Sequence, residues 1–140
     1  MSSIPDSDHI SHLCYRKDID SGIILATAFM VRDKEPYLSV NWLEFLNRQN
    51  RNNAIEQVLG VYKKKFNKLR PDEKIALLNV GATKKKVKAE SKDNREIGFC
   101  HIPNKGDPSH SGIFNIIEDK EFIAELIRST IIDSIFIRDI

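Results

Sequence analysis

Histidine, cysteine and serine are the residue types here best able to move a proton, attack an electrophile or hold a metal. The chain has His9, His12, His101 and His110, with Cys14 two residues after the second and Cys100 next to the third. Six such groups would suffice for zinc if they converged. The spacing H-x-x-H-x-C is not that of a finger, however, and neighbours on a strand, such as Cys100 and His101, point to opposite faces. The sequence therefore assigns no metal site, and it reads the two cysteines, 86 positions apart, as free thiols. A different chemistry is offered by DPSHSGI, residues 107–113, where His110 follows Ser109 in a stretch bounded by proline and glycine. Loops of this kind carry function on a rigid scaffold, and histidine is the usual general acid or base near neutral pH. The competing reading makes Asp107-Pro108 a turn initiator and Ser109 a cap.

A second candidate stretch is YLSVNWLEFL, residues 37–46. Asn41 is a favoured N-cap, and Glu44 stands three positions later, where a capping box would place it. Capping accounts for Glu44 without catalysis. Ser39 would then lie beside a helix start, a position suited to binding an anion. No Walker loop, G-x-S-x-G elbow, H-E-x-x-H or dinucleotide fingerprint occurs, and no cofactor is assigned.

The charge is unevenly distributed. Residues 48–92 hold 13 basic and 4 acidic residues, a balance of +9, while the remainder hold 9 basic and 16 acidic, a balance of −7. Lys63, Lys64, Lys65, Lys68 and Arg70 form one cluster, and Lys84, Lys85 and Lys86 a second. Together they could track a phosphate backbone or meet an acidic protein partner. A lysine-rich helix face is also what simple solvation produces, and a pI near 8.5 is low for a dedicated nucleic-acid binder.

The elements that would position these groups follow from periodicity. Residues 9–15 read as a short strand, 23–31 as a buried strand and 37–40 as its hairpin partner across the DKEP turn. Ile55, Val58, Leu59, Tyr62, Phe66 and Leu69 recur every three or four positions and predict a helix over 53–69, closed by Pro71. Further strands are predicted at 75–80, 97–102, 113–116 and 130–137. A turn falls at Gly81, a polar surface helix end or mobile loop over 84–94, a loop over 103–112, and a helix over 119–129. The result is α+β: a single domain over 1–140 with a mixed or mainly antiparallel sheet packed by about three helices, and a loose arm at 1–8. At 140 residues and 41% hydrophobic content, such a domain needs neither disulfide nor metal to fold. No run reaches the ~20 apolar residues of a membrane span. The polar start MSSIPDSDHI lacks a secretory pattern, so the expected compartment is the cytoplasm.

Three stretches, DHISHLC (8–14), AF followed by YLSVNWLE (28–44), and DPSHSGI (107–113), resemble motifs of a group of small bacterial proteins of uncharacterised function. The resemblance carries no activity. It implies that His9, Ser39, Trp42, Glu44, Ser109 and His110 belong to recurring motifs.

Two functional readings result. The first is a non-enzymatic accessory protein that binds nucleic acid or a protein partner through segment 48–92; it needs the cations gathered on one exposed face. The second is a small enzyme acting on a phosphorylated or nucleotide-like substrate. In it His110 and His9 act as acid and base and Ser39 contacts phosphate, so all three must share one concave site, within about 12 Å.

Overall fold

The residues of HISHLC alternate between two buried faces, and this explains why they form the middle of a sheet rather than its edge. The computed structural model describes residues 2–66 and 68–140. In chain order the strands and helices are β1 (Ser2–Ser3), β2 (His9–Cys14), β3 (Ile19–Asp20), β4 (Ile23–Ile24), β5 (Leu38–Trp42), α1 (Leu43–Leu46), α2 (Arg51–Lys65), β6 (Lys74–Asn79), α3 (Val80–Glu90), β7 (Gly98–His101), β8 (His110–Phe114), α4 (Lys120–Arg128) and β9 (Asp133–Phe136). Short 3-10 turns lie at Arg16–Asp18, Ala26–Phe29 and Ile137–Asp139. Seven strands form one sheet in the order β1-β7-β8-β5-β2-β6-β9, antiparallel at every step, and β3 with β4 makes a separate two-stranded ribbon. This is a single α+β domain with three helices of substantial length, as the pattern predicts.

The sheet is covered on both sides. Ile10, Cys14, Leu38, Val40, Ala76, Leu78, Phe99 and Ile113 pack under α3, α4 and the 26–29 turn. Leu13, Ile75 and Leu77 pack on the opposite side under α1 and α2, through Leu43, Ala54, Ile55, Val58 and Tyr62. The alternation follows from strand geometry, in which successive side chains leave opposite faces. Among the described residues no helix is long and apolar enough to cross a membrane.

Several expectations are corrected. The predicted hairpin of 23–31 with 37–40 does not form, because β5 has β2 on one edge and β8 on the other. Residues 26–29 instead wind into a turn that buries Ala28 and Phe29 against α4. The expected loose arm is tied down: Ser2 and Ser3 pair with β7, Ile4 is buried, and the Gly81 N–H donates to the Asp6 carbonyl at 2.9 Å. Gly81 is no turn but lies in the first turn of α3, where an added Cβ would meet Asp6 at 2.9 Å. Of the two forms expected at 84–94, residues 84–90 take the helical one, because Asn79 caps α3, accepting from the Ala82 N–H at 2.8 Å, and Val80, Thr83 and Val87 bury one face. The predicted helix 53–69 ends at Lys65; Asn67, which it included, and Met1 of the arm lie outside the described residues. His110, Ser111 and Gly112, expected in a loop, belong to β8.

Candidate functional site

β5 and β8 lie side by side with Asn41 opposite His110 and Ser39 opposite Gly112, so Ser39, Asn41 and His110 share the face that α2 covers. Beyond the end of α2 that cover stops, leaving a cavity of about 290 Å³. Its wall includes Ser39, Asn41, Tyr62, Lys65, Asp107 and His110. His12 reaches it from the other side of β2, and Lys17, Arg32 and Glu35 reach it from the loops.

The His110 ring has a defined orientation. Nδ1 lies 2.8 Å from the Ile102 carbonyl, which can only accept, so Nδ1 carries the proton. In the neutral ring Nε2 is then an unprotonated acceptor, and it faces the Ser39 hydroxyl at 3.3 Å. His110 is buried while Ser39 is exposed, which is the arrangement of a shielded base behind an accessible hydroxyl. The distance is slightly long for a hydrogen bond. The ring of Tyr37 packs edge-on against His110, with centroids 5.9 Å apart.

Beside this pair lies a closed polar network. The Asn41 amide donates to Asp107 Oδ1 at 2.8 Å and to Ser109 Oγ at 2.9 Å, and its Oδ1 accepts from the Tyr62 hydroxyl at 3.0 Å. Asp107 Oδ2 accepts from Lys65 Nζ at 2.6 Å. Asn41, Asp107 and Ser109 are all buried, so each needs these partners. Burial pushes the Tyr62 phenol well above its ordinary pKa, and it stays a hydrogen-bond donor.

His12 makes a separate contact. Its ring sits between β5 and the 26–29 turn, with Nδ1 2.9 Å from the Ser39 carbonyl and Nε2 2.6 Å from the Ala28 carbonyl. Burial lowers its pKa, and the two carbonyls oppose that shift by favouring the doubly protonated ring. Both partners can only accept, so the doubly protonated ring joins the turn to the backbone of Ser39 by two hydrogen bonds, and the neutral ring donates to only one of them.

Of the expected catalytic set, Ser39 and His110 meet and His9 does not. His9 is two residues along β2 from Ser11 and two strands from His110, roughly 12 Å between Cα atoms by strand spacing. Its side chain is engaged elsewhere: Nδ1 contacts Glu44 Oε2 and its backbone N–H donates to Glu44 Oε1, both at 2.7 Å. Glu44 therefore braces the start of β2 and forms no capping box. Asn41 is a strand residue, α1 begins at Leu43, and its N-cap is Trp42 without a side-chain cap, so Ser39 is not at a helix start. No group of three or more metal-ligating side chains occurs among the described residues.

The basic residues divide between layers. Lys63, Lys64 and Lys65 end α2 on one side of the sheet, with Lys68 and Arg70 following. Lys84, Lys85 and Lys86 lie in α3, which packs on the other side. Lys84 pairs with Asp6 at 2.9 Å and Lys86 with Glu90 at 2.5 Å. Sequence reasoning missed the roles of Asn41, Tyr62 and Asp107 and placed Lys65 with the surface cations. One signal was available: Lys65 is three residues after Tyr62 and so neighbours that buried side chain on the helix surface.

In comparisons with known proteins, no family model, curated protein or solved structure matches the chain.

Proposed function

We propose that the cavity is the active site of a small enzyme acting on a phosphorylated or nucleotide-like substrate, with Ser39 as nucleophile and His110 as its general base. The observation that carries this reading is the oriented His110 ring, whose Nδ1 is held by the Ile102 carbonyl and whose Nε2 faces the exposed Ser39 hydroxyl at 3.3 Å on the cavity wall. In the step this supports, Ser39 Oγ attacks phosphorus while its proton passes to Nε2. The bond to the leaving oxygen breaks, and that oxygen takes the proton from His110. Water then reverses the sequence, with His110 accepting its proton as Ser39 is released. The cavity is close to the lower limit for small-molecule sites, which suits a substrate no larger than a mononucleotide.

The test is turnover of p-nitrophenyl phosphate and bis-p-nitrophenyl phosphate by the intact chain. His110→Gln and Ser39→Ala should each lower the rate by about 10²-fold or more. Equal rates in wild type and both variants would remove the reading.

A second reading, binding of nucleic acid or an acidic protein partner, rests on the α2 half of the basic segment. Lys63 and Lys64 are exposed, and among the described residues neither has an ion-pair partner. The α3 half adds little to it, being on the opposite layer and largely paired.

A further inference from the structure

Lys65 is one of three successive lysines, yet it differs from the other two in what holds it. Its ammonium lies 2.6 Å from Asp107 Oδ2, and the Asp107 side chain is 1% exposed. The other oxygen of Asp107 is fixed by Asn41, and Asn41 is fixed in turn by Ser109 and Tyr62. Asn41 spends both amide protons in this way, so the carboxylate cannot turn without breaking a buried hydrogen bond. Asp107 thus orients the ammonium rather than merely neutralising it. An ammonium has three N–H donors and Asp107 takes one, leaving two for the cavity that Lys65 lines.

The placement relates this cation to the Ser39–His110 pair. Asn41, which carries Asp107, is two residues from Ser39 on the same face of β5, roughly 7 Å between Cα atoms. The His110 N–H donates to the Asp107 carbonyl at 3.2 Å, so one turn supports both the base and the cation's anchor. Lys17 and Arg32 also border the cavity and, like Lys65, are exposed, but among the described residues no carboxylate pairs with either.

We infer that Lys65, held by Asp107, is the anchor for an anionic group of the ligand, and that this group is a phosphate. The inference rests on the cavity being the functional site, as proposed above, and it names the group that site receives. The phosphate's oxygens take the two remaining N–H donors, and its phosphorus, the centre that Ser39 attacks in the step proposed above, lies toward Ser39. The DPSH motif acquires a division of labour: Asp107 aims the cation, Ser109 locks Asn41, and His110 serves as base.

The probe is inorganic phosphate, titrated into the intact 15N-labelled protein and followed by amide shifts. Wild type should show saturable shifts at residues 63–66 and 107–110. Lys65→Met should weaken binding at least tenfold, and Lys65→Arg, which keeps the charge and the pairing to Asp107, should recover most of it. Thermal unfolding of both variants checks that the fold persists; should Lys65→Met unfold, comparison of Lys65→Arg with Lys65→Gln decides the same point. Absence of wild-type binding, unchanged binding in Lys65→Met, or shifts confined to the α3 lysines would each overturn the inference. His110→Gln separates the two claims: it should abolish turnover and leave phosphate binding within twofold. Lost turnover with Lys65-independent binding refutes the anchor alone, and Lys65-dependent binding with undiminished turnover refutes the Ser39–His110 mechanism alone.

Discussion

The ring of Tyr37 occupies the space that a side chain on Gly112 would fill: an added Cβ would stand 2.6 Å from Tyr37 Cδ2. Gly112 is opposite Ser39, so its lack of a side chain lets Tyr37 lie across β8, against His110 and Phe114. Gly112→Ala is expected to displace Tyr37 and destabilise the fold by about 1–3 kcal/mol, the usual cost of overpacking. Turnover should fall with it, because the ring supporting His110 moves. A thermal melt and the His110 ring NMR signals check this together; an unshifted ring would show that Tyr37 does not hold the base.

Gly81 poses the same question with two effects opposed. Alanine is favoured over glycine inside a helix by about 1 kcal/mol, so Gly81→Ala should stabilise α3 if space allowed. Space does not allow it: the obstructing atoms include the Asp6 carbonyl oxygen at 2.9 Å, which is backbone and itself bonded to the Gly81 N–H. The clash is expected to win, giving a net loss of about 1–2 kcal/mol in chemical denaturation. A stabilised variant would mean the first eight residues move aside at little cost.

How much of this was legible beforehand depends on the distance over which each residue acts. The α+β class was legible because strands such as β6 and helices such as α4 carry their burial pattern within a few residues. Helix α3 was obscured because three buried residues anchor it against four lysines. The pairing of Ser39 with His110 spans 71 positions, and nothing local distinguishes it from two solvated polar residues. Asn41 is the clearest failure: its N-cap signature was real as composition, but its amide is spent on Asp107 and Ser109, far along the chain. Local rules assigned it to the nearest helix because they could not see β8.

The two thiols should differ sharply in reactivity. Cys14 is fully buried, and burial pushes its pKa up to about 12, so it holds almost no thiolate at neutral pH. Cys100 is partly exposed. Labelling with iodoacetamide should modify Cys100 promptly and reach Cys14 only at the rate of unfolding. Mass spectrometry of the two peptides over time reads this directly, and equal rates would contradict the burial of β2.

Acid stability should depend on Asp8. Its carboxylate is buried, receives both terminal nitrogens of Arg48 at 2.9 Å, and accepts from the Trp42 indole at 2.9 Å. The Arg48 hydrogen bonds are the main cause of a pKa below the ordinary 3.8, with the Trp42 bond adding to them and burial opposing. Because the folded-state pKa is the lower one, the unfolded chain takes up a proton first as pH falls. The contribution is therefore fully present above the unfolded value and is lost progressively as pH drops through it toward the folded value. Asp8→Asn should cost stability at neutral pH and flatten the decline below about pH 4 that wild type shows. Denaturation midpoints from pH 7 down to pH 2 test this. Parallel curves for the two proteins would mean that Asp8 titrates alike in both states, and that the Arg48 pair, though well formed, adds nothing to holding β2 against β5.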